Sequence, residues 1–234
     1  MIRHLEWDSR HFGIRVGRVD GDTLSASSPQ AYADERGRFD CVYLLADADH
    51  VETAERAHEL GFRMVDIRVT FARTLDDRRA YATNEHNIRD AHASDLPRLE
   101  ALAAASHHSS RFYFDRCFER DRVDELYRIW IRNELENPSA KVLVVDDAVG
   151  AAAYVTCTVD GSESETGLVA VSASIRGTGT ASALLERSLS GAVARGAKRI
   201  TVVTQGRNVA AQRLYERAGF RIQKIAIWYH AWPT

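Results

Sequence analysis

A chain of 234 residues can bury a sizeable core and exceeds the usual length of one small domain, so two units are expected. An apolar fraction of 45%, a charged fraction of 27% and four prolines with no low-complexity tract describe a chain folded nearly end to end. A formal charge of −2 supplies no basic surface for a nucleic acid, and no apolar run resembles a signal peptide or approaches the roughly 18 residues of a membrane helix; neither partner is expected, and a cytoplasmic location is.

Along the chain, the single cysteines Cys41, Cys117 and Cys157 lack paired zinc-site spacing and read as reduced structural thiols, so no metal is expected. Val65-Asp66-Ile67-Arg68-Val69-Thr70-Phe71 alternates with period two and predicts a strand. The polar stretch after it, from Asp76-Asp77-Arg78-Arg79 to Asn87, has no apolar period and is the best boundary, dividing a unit at 1–80 from one at 85–234. Ser94 precedes Leu96, Leu99 and Leu102 and is placed to cap a helix. A longer helix is expected over 121–136, before Pro138, followed by a hairpin of 141–145 and 149–158 turning at Asp146-Asp147 and a short buried strand at 168–171. Leu184, Leu185, Leu189 and Val193 repeat at helical spacing up to the stop at Gly196. A strand at 200–204, a helix at 208–218 closed by Gly219 and a strand at 221–229 complete a mixed α/β second unit.

One junction recurs. Leu60-Gly61-Phe62-Arg63 before an alternating strand matches Ala218-Gly219-Phe220-Arg221 at an offset of 219 − 61 = 158. Two unrelated helix–glycine–strand junctions would look alike; the alternative is a degenerate second copy of half the fold. The first copy is chemically empty either way, with Ala57 where the second has Tyr215 and no glycine-rich loop before it.

Residues 169–181 run from an apolar strand through Ile175-Arg176-Gly177-Thr178-Gly179-Thr180-Ala181 into a helix. Small residues let backbone N–H groups converge at the positive end of the helix dipole, which suits a pyrophosphate; a tight strand-to-helix turn without ligand has the same composition. A nucleotide-hydrolase loop needs Gly-Lys-Ser/Thr, which is missing. A dinucleotide fingerprint fails because Ser182 takes the third glycine position and Ile200-Thr201-Val202-Val203-Thr204 offers no carboxylate.

These residues resemble the GCN5-related N-acetyltransferases, whose coenzyme A loop reads Gln/Arg-x-x-Gly-x-Gly/Ala, matched by Arg176, Gly179 and Ala181. The last helix and strand are similar through Asn208, Tyr215 and Gly219-Phe220, and the opening through Ile88-Arg89-Asp90-Ala91 to Asp95-Leu96, so the likeness covers residue 85 onward. Leu5-Glu6-Trp7-Asp8-Ser9, Phe12-Gly13, Ser110-Arg111-Phe112 and Thr204-Gln205 further resemble a dimeric branch that acetylates a nucleotide-linked amino sugar. The resemblance implies an α+β fold with a mixed, mostly antiparallel sheet flanked by helices. It also implies acetyl-coenzyme A as cosubstrate, a primary amine as acceptor and a homodimer.

The roles of single residues are likewise implied by the resemblance. Backbone amides of Arg176, Gly177, Thr178, Gly179, Thr180 and Ala181 would hold the pyrophosphate, Val169 and Val171 would pair with the pantetheine arm, and an N–H of Val171 or a neighbour would face the thioester oxygen. Asn208 would either contact that arm or cap its helix. Tyr215 would protonate the departing thiolate or fill the core with its ring, and Arg111 would bind acceptor phosphates or form a surface ion pair. No residue is marked as the base. His107 and His108 lie in a region expected to face the acceptor but read first as a loop surface pair, Phe112 and Tyr113 would stack on a base or, as favoured, fill the core, and Arg116, Arg120 and Arg122 read as a solvated charged face. An aminoglycoside, a polyamine or a protein amine are other acceptors, and a coenzyme A-binding regulator is the alternative to an enzyme.

Overall fold

Ten strands form one sheet because the C-terminal strand inserts between two strands of the N-terminal half. The computed structural model describes residues 1–24, 29–76 and 87–233. The boundary expected between the units therefore falls largely on residues 77–86, outside those described. In chain order the elements are β1 (Ile2–His4), α1 (Glu6–Phe12), β2 (Val16–Val19), α2 (Pro29–Arg36), β3 (Cys41–Asp47), α3 (Val51–Glu59) and β4 (Arg63–Thr74). Then come β5 (Ile88–Asp90), α4 (Leu96–Ala104), α5 (Arg111–Phe114), α6 (Arg120–Glu136), β6 (Ala140–Asp147), β7 (Gly150–Asp160) and β8 (Glu163–Val171). The chain closes with α7 (Thr180–Ala194), β9 (Arg199–Gln205), α8 (Val209–Arg217) and β10 (Arg221–Ala231). The sheet order is β1-β2-β3-β10-β4-β9-β8-β7-β6-β5, antiparallel except for β2/β3 and β8/β9. This is the mixed, mostly antiparallel α+β sheet that the resemblance implies.

Helices α4, α6, α7 and α8 each bury an apolar face. On α6, Val123, Leu126, Tyr127 and Ile131 point inward and join Leu99 and Ala103 of α4 over Tyr154 on one side of the sheet. Full burial stabilises each such aliphatic side chain by about 1.5–3 kcal/mol. On the other side, Leu185 and Leu189 of α7 and Leu214 of α8 pack on Val202 and Phe71. The start of α4 differs from the expected Ser94 cap: Ala93–Asp95 form a 3₁₀ turn, and Asp95 takes the capping role by accepting the His92 N–H at 2.8 Å. Its carboxylate wins because the Arg89 fork fixes it at 2.7 and 2.9 Å, which also holds its pKa at about 2.

The strand register decides the meaning of the repeated junction. Phe62 N–H bonds Ala57 O as Phe220 N–H bonds Tyr215 O, and Gly61 and Gly219 both adopt positive φ, 77° and 84°. The offset of 158 persists through the ladders: Asp47↔Ala226 repeats as Gln205↔Arg68, and Ile67↔Ile227 maps onto Val69↔Ile225. Even the bulged residues, Val65 on β4 and Gln223 on β10, differ by 223 − 65 = 158. A chance likeness at one turn would not carry into pairing register, since a slip of one residue turns every side chain to the other face. The units β1-β2-α2-β3-α3-β4 and β7-β8-α7-β9-α8-β10 are thus two copies related by a pseudo-dyad, with Arg68↔Ala226 on its axis.

Candidate active site

β8 and β9 pair in parallel from Glu163↔Arg199 to Thr166↔Val202 and then part. The gap is a cleft of about 980 Å³, lined by Leu168, Val169 and Val171 on one side, Val203 and Gln205 on the other, and closed by the glycine-rich loop, Tyr215 and α6. A bulge turns β8 at the point of parting, where Gly167 and Leu168 together face Thr156 of β7. Leu168 N–H donates to Thr156 Oγ1 at 2.9 Å, and a Cβ on Gly167 would lie 2.6 Å from that oxygen, so only glycine fits. Beyond the bulge, Ser172 N–H bonds Ala152 O across β7. Antiparallel alternation then turns Ala170 toward β7 and leaves the Val169 and Val171 N–H groups facing the cleft.

The loop has the geometry of an anion cradle. Gly177 and Gly179 take φ of 80° and 84°, a region that costs other L-residues about 1–2 kcal/mol, and Gly179 caps α7. Thr178 Oγ1 donates to Ile175 O at 2.8 Å and lies 2.7 Å from Thr180 Oγ1, which tightens the turn from inside. The Arg176 side chain is exposed and folds back, its Nε donating to Val171 O at 3.0 Å. Asn208 lines the cleft and caps α8, its side chain accepting the Ala211 N–H at 3.2 Å. Both of its expected roles therefore fit the same position.

Tyr215 also lines the cleft while packing its ring on Phe71 and Phe220, at centroid distances of 5.8 and 5.9 Å. Burial raises its phenol above the ordinary value. Opposite, Glu134 and His107 border the cleft. Glu134 of α6 is half-buried, and its Oε2 lies 3.7 Å from where a Gly167 Cβ would stand. Burial raises its pKa, against a hydrogen bond from Thr156. A glutamate on the polar face of a long helix is unremarkable in sequence, so only packing reveals it. His107 is the other: it is half-buried, not a surface residue, stacks on Tyr127 and meets Tyr154 Oη at 3.0 Å, whereas His108 is exposed. Burial pulls His107 down to about 4, so it is neutral near pH 7.

Arg111 lies apart from the cleft-lining residues. Its guanidinium sits between the rings of Tyr43, Phe112 and Trp228 at 4.3, 4.0 and 4.2 Å and contacts His230 Nε2 at 2.7 Å. His230 Nδ1 in turn meets Asp115 at 2.5 Å, with Trp232 Nε1 donating to the same carboxylate at 2.9 Å. Phe112 and Tyr113 are core, as expected, while Arg116, Arg120 and Arg122 are exposed. Among the described residues no group of three or more His, Cys, Asp or Glu gathers as a metal site, and no helix is long and apolar enough to cross a membrane.

The model of the acetyltransferase (GNAT) family matches residues 102–220, just over half of the chain. A dTDP-fucosamine acetyltransferase of Escherichia coli O6:H1 is 25% identical over 232 residues, covering 98% of this chain and 97% of that protein. The Bacillus subtilis spore coat polysaccharide biosynthesis protein SpsD is 31% identical over 139 residues, 59% of this chain and 48% of its own length. A GCN5-related N-acetyltransferase of Sphaerobacter thermophilus superposes with a TM-score of 0.63 at 17% identity, over 87% of this chain and 65% of that one. With the family model matched over just over half of its length, the chain belongs to the GNAT family and is an N-acetyltransferase.

Proposed function

We propose that this protein acetylates the primary amine of a nucleotide-linked amino sugar with acetyl-coenzyme A, the cosubstrate of its family. The observation that carries the reading is the parting of β8 from β9, which leaves unpaired N–H groups of Val169 and Val171 between the cradle and Tyr215. The backbone at residues 176–181 binds the pyrophosphate, with positive-φ glycines keeping side chains out of its approach. Val169 and Val171 pair with the pantetheine arm, and a β8 N–H donates to the carbonyl oxygen as negative charge develops there. The acceptor amine loses its ammonium proton to water and attacks the carbonyl carbon as the neutral amine, and Glu134 takes the second proton that this nitrogen sheds on the way to the amide. Tyr215 gives its phenol proton to the sulfur as the C–S bond breaks and regains one from water.

The acceptor class is supported by the relative aligned over 97% of its length, which acts on dTDP-fucosamine, and by a second relative of polysaccharide biosynthesis. A panel of amines offered with acetyl-coenzyme A, read by thiol release and by the mass of the product, tests it. A nucleotide-linked amino sugar is expected to have a kcat/KM well above that of polyamines, aminoglycosides and peptide amines. Good turnover of a polyamine with none of any nucleotide-linked amino sugar would sink the reading.

A further inference from the structure

The degenerate N-terminal copy has lost the glycine cradle, yet its sheet face is contiguous with the acceptor side of the cleft. Register traces that face from strand to strand. Gln205, which lines the cleft, pairs with Arg68; Asp66, two residues along β4, pairs with Trp228; Trp228 pairs with Leu45; and Tyr43, two along β3, pairs with Arg18. Residues paired across strands or two apart on one strand share a face, so Arg68, Trp228, Leu45 and Arg18 all look the same way as Gln205. The Arg18 guanidinium lies 5.2 Å from the Trp228 ring, and that of Arg111 4.2 Å from it.

Charge along this face is unevenly spread. Glu134 and Glu165 stand near the cleft, while Arg68, Arg111 and Arg18 gather beyond Gln205 around one buried carboxylate, Asp66, which meets Arg207 at 3.6 Å. Among the described residues neither Arg18 nor Arg68 has a carboxylate in ion-pair contact, and Arg68 Nε is buried with no hydrogen-bond partner. Desolvation lowers the pKa of both guanidiniums and the Arg111 charge adds to it, opposed by Glu165 near Arg68 and by Asp20 near Arg18. Asp66 and Asp8 are carboxylates on which the Arg111 charge acts, and burial raises the pKa of each. A protein tolerates such crowding of like charge most readily where an anion completes it.

Beside Arg18 the face sinks into a depression of about 350 Å³, floored by Leu45 and Ala226 and bordered by Asp47 and Lys224. Leu45 and Asp47 are the pseudo-dyad mates of the cleft residues Val203 and Gln205 (203 − 45 = 205 − 47 = 158). The depression is therefore the first copy's counterpart of the catalytic cleft, kept after its cradle was lost. We infer that the degenerate copy is the acceptor's handle: Arg68 and Arg18 grip the diphosphate, and the depression beside Trp228 holds the nucleoside. A molecule with an amine at one end and a diphosphate at the other then lies along one face, its amine at Glu134. Arg111, held between aromatic rings, adds charge from behind. This subsite rests on the proposed acceptor class and says which residues read it.

Calorimetric titration of thymidine diphosphate, and separately of inorganic pyrophosphate, into the protein saturated with coenzyme A tests the inference with the cradle already filled. One diphosphate should bind per chain, weakened about tenfold or more by Arg18→Ala and by Arg68→Ala, with coenzyme A affinity unchanged. Arg68→Lys, which retains charge without the fork, should fall between and serves if Arg68→Ala folds poorly. The nucleoside is part of the subsite if thymidine diphosphate binds more tightly than pyrophosphate. No binding of either probe, or binding untouched by both alanine variants, overturns the inference. Turnover of a nucleotide-linked amino sugar with a KM unmoved in both variants would also overturn it while leaving the acceptor class standing; failure of the unaltered protein on every such sugar would remove the class itself.

Discussion

Tyr215 reaches the cleft through a ring that is otherwise core, and its burial makes the phenol a weaker acid than in water. Protonating a thiolate whose acid titrates near 8.5 from a phenol near 10 is already uphill by roughly 2 kcal/mol, and burial adds to that. In the role proposed for Tyr215, the transfer is concerted with C–S cleavage. Tyr215→Phe keeps the ring and deletes the proton, so kcat should fall about 10²- to 10⁴-fold with little change in donor affinity. A near-normal kcat where chemistry limits turnover would leave Tyr215 a packing residue. Glu134 must be ionised to take a proton, so activity should fall as pH drops through its raised pKa. Glu134→Gln should cost about 10²-fold in kcat/KM and abolish that acid limb; a variant that keeps the limb would assign it elsewhere. His230 gives a separate stability prediction. Its Nε2 faces the Arg111 guanidinium at 2.7 Å and cannot carry a proton there, and desolvation with that charge pulls it to about 4 despite Asp115. The unfolded chain binds its proton near 6.5, so the stability this histidine confers is full above that value and is lost as pH falls toward 4. The midpoint of thermal unfolding should drop across that window, and less steeply in His230→Asn, whose amide can replace Nδ1–H.

At the level of elements, the site is a strand that stops pairing followed by a loop that only glycine can turn. Gly179 caps α7 at a φ of 84°, so Gly179→Val combines a blocked approach to the cradle with a backbone penalty of about 1–2 kcal/mol. A total stability of about 5–15 kcal/mol absorbs that penalty, so the variant should fold with a lowered unfolding midpoint and bind coenzyme A weakly. Unchanged affinity in the folded variant would rule out the loop as the phosphate cradle. The β8 bulge works alongside: Gly167 and Leu168 opposite Thr156 bend the strand where β9 departs, and Thr156 occupies the Leu168 N–H. That leaves Val169 and Val171, beyond the bend, as the N–H groups open to a ligand.

Over the whole molecule, the two copies share one sheet across β4 and β10. β10 lies between β3 and β4, so the N-terminal strands cannot complete their ladder without the last eleven-residue strand of the chain. A single cooperative transition is therefore expected in calorimetry, in spite of the two compositional units at 1–80 and 85–234. Two resolved transitions would show that the halves hold together separately. The joint is also where Arg111, from the C-terminal half, meets Tyr43 from the N-terminal half and Trp228 of the shared strand.

The sequence alone determined the parts whose geometry is local. Gly177 and Gly179 allow the positive φ that their turn uses, alternation marks β4 through residues 65–71, and Asn208, Tyr215 and Gly219 sit at fixed offsets on one short helix and its stop. These placed the glycine-rich loop, the cleft tyrosine and the family. The echo at Gly61 and Gly219 was visible too, but a turn of four residues does not separate chance from duplication, and only pairing register did. Tertiary structure decided whatever depends on residues far apart in the chain: Glu134 beside Gly167, His107 under the cleft, and Arg111 on His230 across 119 positions. Side-chain type at those sites is ordinary for a helix face or a loop, and it becomes informative only once α6 packs over β7 and β8 beside Glu134 and His107, and β10 enters between β3 and β4 beside Arg111.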